Sequence, residues 1–108
     1  MERGFVGILS VDLHLPEGAS LKTKRRELLR VKAGLTRRFS CAVSEVDHHD
    51  LWQRAGLTLA LVGRSASETD ERISDAARWL DGDEAFQVVG SARELVAVGS
   101  DRDAAWGS

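Results

Sequence analysis

Two short stretches carry residue types and spacings suited to chemistry. Asp12 and His14 stand two apart in Val11-Asp-Leu-His-Leu15, and Asp47-His-His-Asp50 gathers four ionisable side chains in one segment. Residues two apart on a strand share a face, so Asp12 and His14 are within reach of forming an acid–base pair. Catalysis would require a pocket and a third group as well, and the sequence names neither. Adjacent His48 and His49 point to opposite sides of an extended chain, and no HxH, HxxxH or CxxC spacing is present. The expectation is therefore no metal and no cofactor, with a non-enzymatic module favoured and an enzyme using Asp12 and His14 kept as an open alternative. Asp12, His14, His48 and His49 remain a candidate polar site, the weakest of three functional readings. If the second strand runs back along the first, His48 lies about 25 Å from His14 at ~3.3 Å per residue.

The other chemical signal is charge. Ser20 to Arg38 holds eight of the fifteen Lys and Arg residues and one acid, Glu27, for a net +7. Because the chain sums to −2, the remainder sums to −9. On a helical wheel of about 100° per residue, Leu21, Leu28, Val31, Leu35 and Phe39 form an apolar stripe, with Leu29 at its margin. Lys22, Arg26, Arg30 and Arg37 form an outward basic ridge. Lys24, Arg25 and Lys32 fall on the flanks, where their stems cover apolar surface and their heads reach water. Lys22, Lys24, Arg25 and Arg26 crowd the positive end of the helix dipole, an unfavourable placement that an anionic ligand would reverse. The bland alternative is internal neutralisation. Glu68 to Glu84 carries seven acids against Arg72 and Arg78, a net −5, and lies beside the basic helix in the expected fold.

The elements that would position these residues follow from periodicity. Phe5–Leu15 alternates as a strand, with Phe5, Leu9, Val11, Leu13 and Leu15 on the core face. Pro16-Glu-Gly18 breaks it, and Ser20 caps the basic helix. Phe39–Asp47 reads as a second strand with Cys41 and Val43 inward, and Ala55–Val62 as a third. Ser67 with Asp70 is placed to cap a second helix that ends at Gly82. Phe86 to about Leu95 or Ala97 is the last β segment. The order βαββαβ predicts an α+β, ferredoxin-like fold, a four-stranded antiparallel sheet with both helices on one face. A parallel sheet would need a long crossover where only His-His-Asp-Leu-Trp-Gln-Arg is available. Residues 1–98 read as one domain and 99–108 as a loose, flexible tail.

Several stretches resemble the YlxP-like family (domain of unknown function 503). They are Val11-Asp-Leu-His-Leu-Pro16, Ser20-Leu-Lys22 with Lys24-Arg25-Arg26, Ala42-Val-Ser-Glu-Val46 and, most specific, Asp50-Leu-Trp-Gln-Arg-Ala55. The resemblance spans roughly residues 5 to 95 and implies a ferredoxin-like fold and a bacterial, cytosolic protein without an established activity. Family members often sit beside transcription and translation genes. His48-His49 departs from the Gly-His that relatives carry there.

Composition excludes little else. The chain is 108 residues long, 43% hydrophobic and 30% charged, so it is long enough for one core. No apolar run approaches the ~20 residues of a membrane span, and no signal-peptide layout opens the chain. The expected function is a cytoplasmic binding module that docks Lys22, Arg25, Arg26, Arg30 and Arg37 on RNA or the ribosome. Trp52 reads as a loop anchor, with Gln53 and Arg54 making loop or partner contacts. The open sheet face (Val6, Ile8, Ser10, Ala42, Ser44, Thr58, Ala60, Val62) offers no aromatic for base stacking. It is semi-apolar, which predicts a homodimer through that face, or a scaffold or small-ligand function.

Overall fold

The computed structural model describes residues 3–99. Its elements are β1 (Phe5–His14), α1 (Leu21–Phe39), β2 (Ala42–Asp47), β3 (Arg54–Gly63), α2 (Ala66–Asp81) and β4 (Gln87–Ala97). The sheet order is β2-β3-β1-β4 with antiparallel neighbours throughout, the ferredoxin-like arrangement. Among the described residues no helix is long and apolar enough to cross a membrane. The tail expected over 99–108 lies outside the described residues except for Gly99.

The inward residues of β1 and β3 meet α1 and α2 in one core. Leu9, Val11, Leu13 and Leu15 join Leu57, Leu59 and Leu61, covered by Leu28, Val31 and Leu35 of α1 and Ile73, Ala76 and Leu80 of α2. Close helix packing needs one missing side chain. A Cβ at Gly34 would stand 2.6 Å from the Trp79 ring, so that glycine sets how near α1 approaches α2. Arg72 of α2 ties the layers by donating to the Phe39 carbonyl at 2.6 Å and the Val62 carbonyl at 2.9 Å.

Two boundaries differ from expectation. Strand β2 begins at Ala42 rather than Phe39, because α1 continues through Phe39 and ends on Ser40 in the left-handed region at φ 52°. The α2 cap is Ser65, not Ser67. Its side chain accepts from the Glu68 N–H at 3.2 Å, and Ser65/Glu68 has the glutamate of a capping box where Ser67/Asp70, at the same spacing, has an aspartate.

The expected 25 Å between His14 and His48 is overturned. A crossover helix returns the chain to the starting end of β1, so β2 runs parallel to β1 and both finish at the same edge. Asp47 is registered with Gly56, which is registered with Asp12, and His14 with Arg54. All the polar candidates therefore occupy one end of the sheet.

Candidate nucleic-acid interface

Helix α1 starts cleanly because Ser20, extended at φ −127°, accepts from the Thr23 N–H, and no acid occupies its first turn. Its cations divide by the side of the cylinder they occupy. On the side toward α2, Arg30 is paired with acids and Arg38 is stacked on a ring. Arg30 donates through both terminal nitrogens to Asp83, at 2.8 and 2.9 Å, and to Glu27 at 2.9 Å. The Asp83 bond is the main cause of a raised Arg30 pKa. Burial pushes the Asp83 carboxyl up, but the Arg30 and Ala85 N–H bonds outweigh it and hold the pKa below the usual value. Arg30 thus leaves the outward ridge. At about 120° on the wheel it leans toward α2, within reach of the turn after that helix. Arg38 lies 5.4 Å over the Trp79 ring, which in turn meets Phe39 edge-on.

The side toward β2 and solvent keeps its charge. Lys22, Arg25, Arg26 and Arg37 are exposed and Lys32 is half-buried. Among the described residues Lys22, Arg25, Lys32 and Arg37 have no ion-pair partner, and Arg26 has only Glu27 at 3.9 Å. Internal neutralisation thus accounts for Arg30 and leaves five α1 cations on the solvent side.

Lys24 is a further correction. Its head does not reach water: the residue is 2% exposed. The ammonium donates to the carbonyls of His48 at 2.6 Å, Leu51 at 2.7 Å and His49 at 3.4 Å. It also forms a 2.9 Å ion pair with Glu45 that is not aligned as a hydrogen bond, leaving Glu45 Oε2 buried without one. Lys24 is thus a bolt through the β2–β3 turn, which closes further through Leu51 N–H to the His48 carbonyl at 3.1 Å.

That turn aims the polar candidates. His48 adopts φ 61°, a left-handed geometry that costs most side chains about 1 kcal/mol and that glycine takes freely. The Asp47 carboxylate accepts the His48 N–H at 2.8 Å, and the imidazole Nε2 lies 3.6 Å from Asp12 and 3.7 Å from Asp47. Asp12 is held by the Arg54 guanidinium through both carboxylate oxygens. Ser10 shares a 2.7 Å hydrogen bond with Thr58 in the next row. A shallow cleft of about 250 Å³ runs over Asp12, between Gly56 and Gly90. The expected Asp12–His14 pair is replaced: Asp12 is paired with Arg54 and has the His48 imidazole 3.6 Å away.

The remaining predicted residues are accounted for. His49 meets the Glu45 carbonyl at 3.1 Å, Gln53 offers its carbonyl to Leu15 N–H at 2.7 Å, and Trp52 is half-buried. Arg54 opens β3 and clamps Asp12, so it is not a free loop contact. Among the described residues no group of three or more His, Cys, Asp or Glu side chains is arranged to hold a metal. Asp12–Arg54, Leu15–Gln53, Lys24–Glu45 and Lys24–Leu51 link the four stretches with family-like sequence at one corner. The charged groups at that corner neutralise one another, Asp12 with Arg54 and Lys24 with Glu45.

The family described as "Protein of unknown function (DUF503)" matches residues 6–93. "Uncharacterized protein YlxP" of Bacillus subtilis (strain 168) is 26% identical over 76 residues, covering 70% of this chain and 83% of that protein. The periplasmic domain P4 of SecDF, a solution structure, aligns over 82% of this chain and 87% of that chain. Its 18% identity and TM-score of 0.37 are too low to carry an argument.

Proposed function

We propose, for a chain that belongs to the DUF503 family, that it is a cytosolic binding module whose α1 surface engages the phosphate backbone of RNA. The observation that carries this reading is the set Lys22, Arg25, Lys32 and Arg37. All lack an acidic partner among the described residues, and Arg25 and Lys32 lie on the side of α1 away from the acidic helix. Unpaired cations gathered on one helix surface attract a polyanion and add little to folding. Arg30 is left out of the proposed contacts because Asp83 and Glu27 hold its guanidinium, and Lys32 is added because it has no such partner among the described residues. Arg26 stays, since its contact with Glu27 is long and it is 70% exposed. Charge reversal at Arg26 and Arg37 is expected to abolish retention of RNA in a binding assay while leaving the melting temperature within a few degrees. Equal binding by wild type and the reversed variant would end the reading.

A second reading, self-association through the open sheet face, is supported by a cross-strand row of Val6, Val62 and Val96. Val62 is 68% exposed and Val96 43%. Large apolar side chains set together on a flat sheet are a common site of subunit contact. A Val62→Glu variant is expected to convert a dimer to a monomer in sedimentation. A wild type that sediments as a monomer at high concentration would remove this reading.

A further inference from the structure

The unpaired cations form two rows. At about 100° per residue, Arg25 and Lys32 fall near 330° on the wheel, and Lys22, Arg26 and Arg37 between about 40° and 100°. Leu29 and Thr36, both exposed and uncharged, occupy the strip between them. With a helix diameter of about 10–12 Å including side chains, the rows stand about 10 Å apart. A single strand presents one line of phosphates, which one row would serve. Two rows flanking a neutral strip match two lines of phosphate on either side of a groove.

The surroundings of α1 select the groove. A helix that enters the B-DNA major groove, ~12 Å wide and ~8.5 Å deep, must stand proud of its own domain. Helix α1 lies flat on the sheet, with Gly34 against the Trp79 ring of α2. Deep entry would therefore press the exposed outer face of α2 against the phosphates, where Glu71 has no ion-pair partner among the described residues and Asp75 is held by Arg78. A-form RNA offers a wide, shallow minor groove that α1 can lie across without immersing α2. The strip between the rows has no Arg, Asn or Gln to read base edges, and the open sheet face has no aromatic for stacking. Recognition would depend on shape and charge.

We infer that the α1 surface takes double-stranded RNA, with Arg25 and Lys32 on one phosphate line and Lys22, Arg26 and Arg37 on the other. This rests on the phosphate-binding reading above and narrows it.

The test is fluorescence anisotropy with the full chain and three probes: a 20-base-pair RNA duplex, one of its strands chosen to be unstructured, and the DNA duplex of the same sequence. The RNA duplex is expected to bind at least tenfold tighter than the other two. R25E/K32E and K22E/R26E are each expected to weaken duplex binding at least tenfold, while R25K/K32R retains it; melting curves confirm that all variants fold. Equal affinity for the single strand, or no loss in R25E/K32E, overturns the two-row arrangement and leaves the phosphate reading standing. DNA duplex bound as well as RNA duplex overturns the shallow-groove argument. Failure of all three probes removes both the inference and the reading beneath it.

Discussion

Replacing Lys24 by methionine separates the structural cation of α1 from the binding ones. Methionine keeps an unbranched apolar stem of similar length in the 2%-exposed site but removes every donor. The His48 and Leu51 carbonyls lose bonds of 2.6 and 2.7 Å, and the Glu45 carboxylate loses its ion-pair partner. A bond from a charged donor contributes about 1.5–3 kcal/mol, and orphaning the far side of a buried pair costs about 3–5 kcal/mol. Glu45 is 20% exposed and the turn lies at the surface, so rehydration offsets part of this loss. The lower end applies, about 3 kcal/mol, or roughly 15 °C in Tm for a domain of this size. Urea titration followed by tryptophan fluorescence measures it, with a lower midpoint and an unchanged slope. At temperatures where the variant is folded, its RNA affinity should stay within twofold of wild type. A loss under about 1 kcal/mol would show that the turn holds without its bolt. A large fall in affinity of folded variant would return Lys24 to the ligand.

Other substitutions test the packing and the electrostatics. Gly34→Ala gains up to ~1 kcal/mol of helix propensity but drives its Cβ to 2.6 Å from the Trp79 ring, so a net loss of about 1–2 kcal/mol is expected on thermal melting. Ser65→Ala should cost about 1 kcal/mol and Ser67→Ala almost nothing, a contrast that chemical denaturation resolves. Asp83→Asn should cost about 1–2 kcal/mol near neutral pH, since it weakens the paired Arg30 bonds and the Ala85 N–H bond. Because the folded Asp83 pKa lies below its unfolded value, its contribution is present above the unfolded pKa and fades as pH falls through the folded one. The stability gap between wild type and Asp83→Asn should therefore narrow on acidification below about pH 4. A gap that stays constant down to pH 2 would contradict the pairing.

The fold was legible because period-two apolar runs and the 3.6-residue stripe of α1 each point one way, and a short loop between β2 and β3 leaves one topology. Direction was harder to read. Alternation places Asp47 and His48 at the end of a strand but does not say which end of the sheet that is; the helix between β1 and β2 does, by making them parallel. Lys24 is a different case. Its wheel angle, about 240°, lies among Val31, Leu35 and Leu28, whereas a lysine head ordinarily reaches water, so angle and residue type point opposite ways. Arg30 depended on which side α2 occupies, which charge counting does not supply. The left-handed φ of 61° at His48 is a turn geometry that a histidine in the sequence does not announce. The closeness of His48 to Asp12 needed the register of three strands.

The central claim is that cations left unpaired by the fold bind phosphate. The most direct measurement is the affinity for an RNA duplex as a function of salt. Contacts from Lys22, Arg25, Arg26, Lys32 and Arg37 predict a slope of log K on log[salt] of about −3 to −4.5, reduced by roughly 2 in R25E/K32E. A slope shallower than −1, or one that the substitutions leave unchanged, would contradict it.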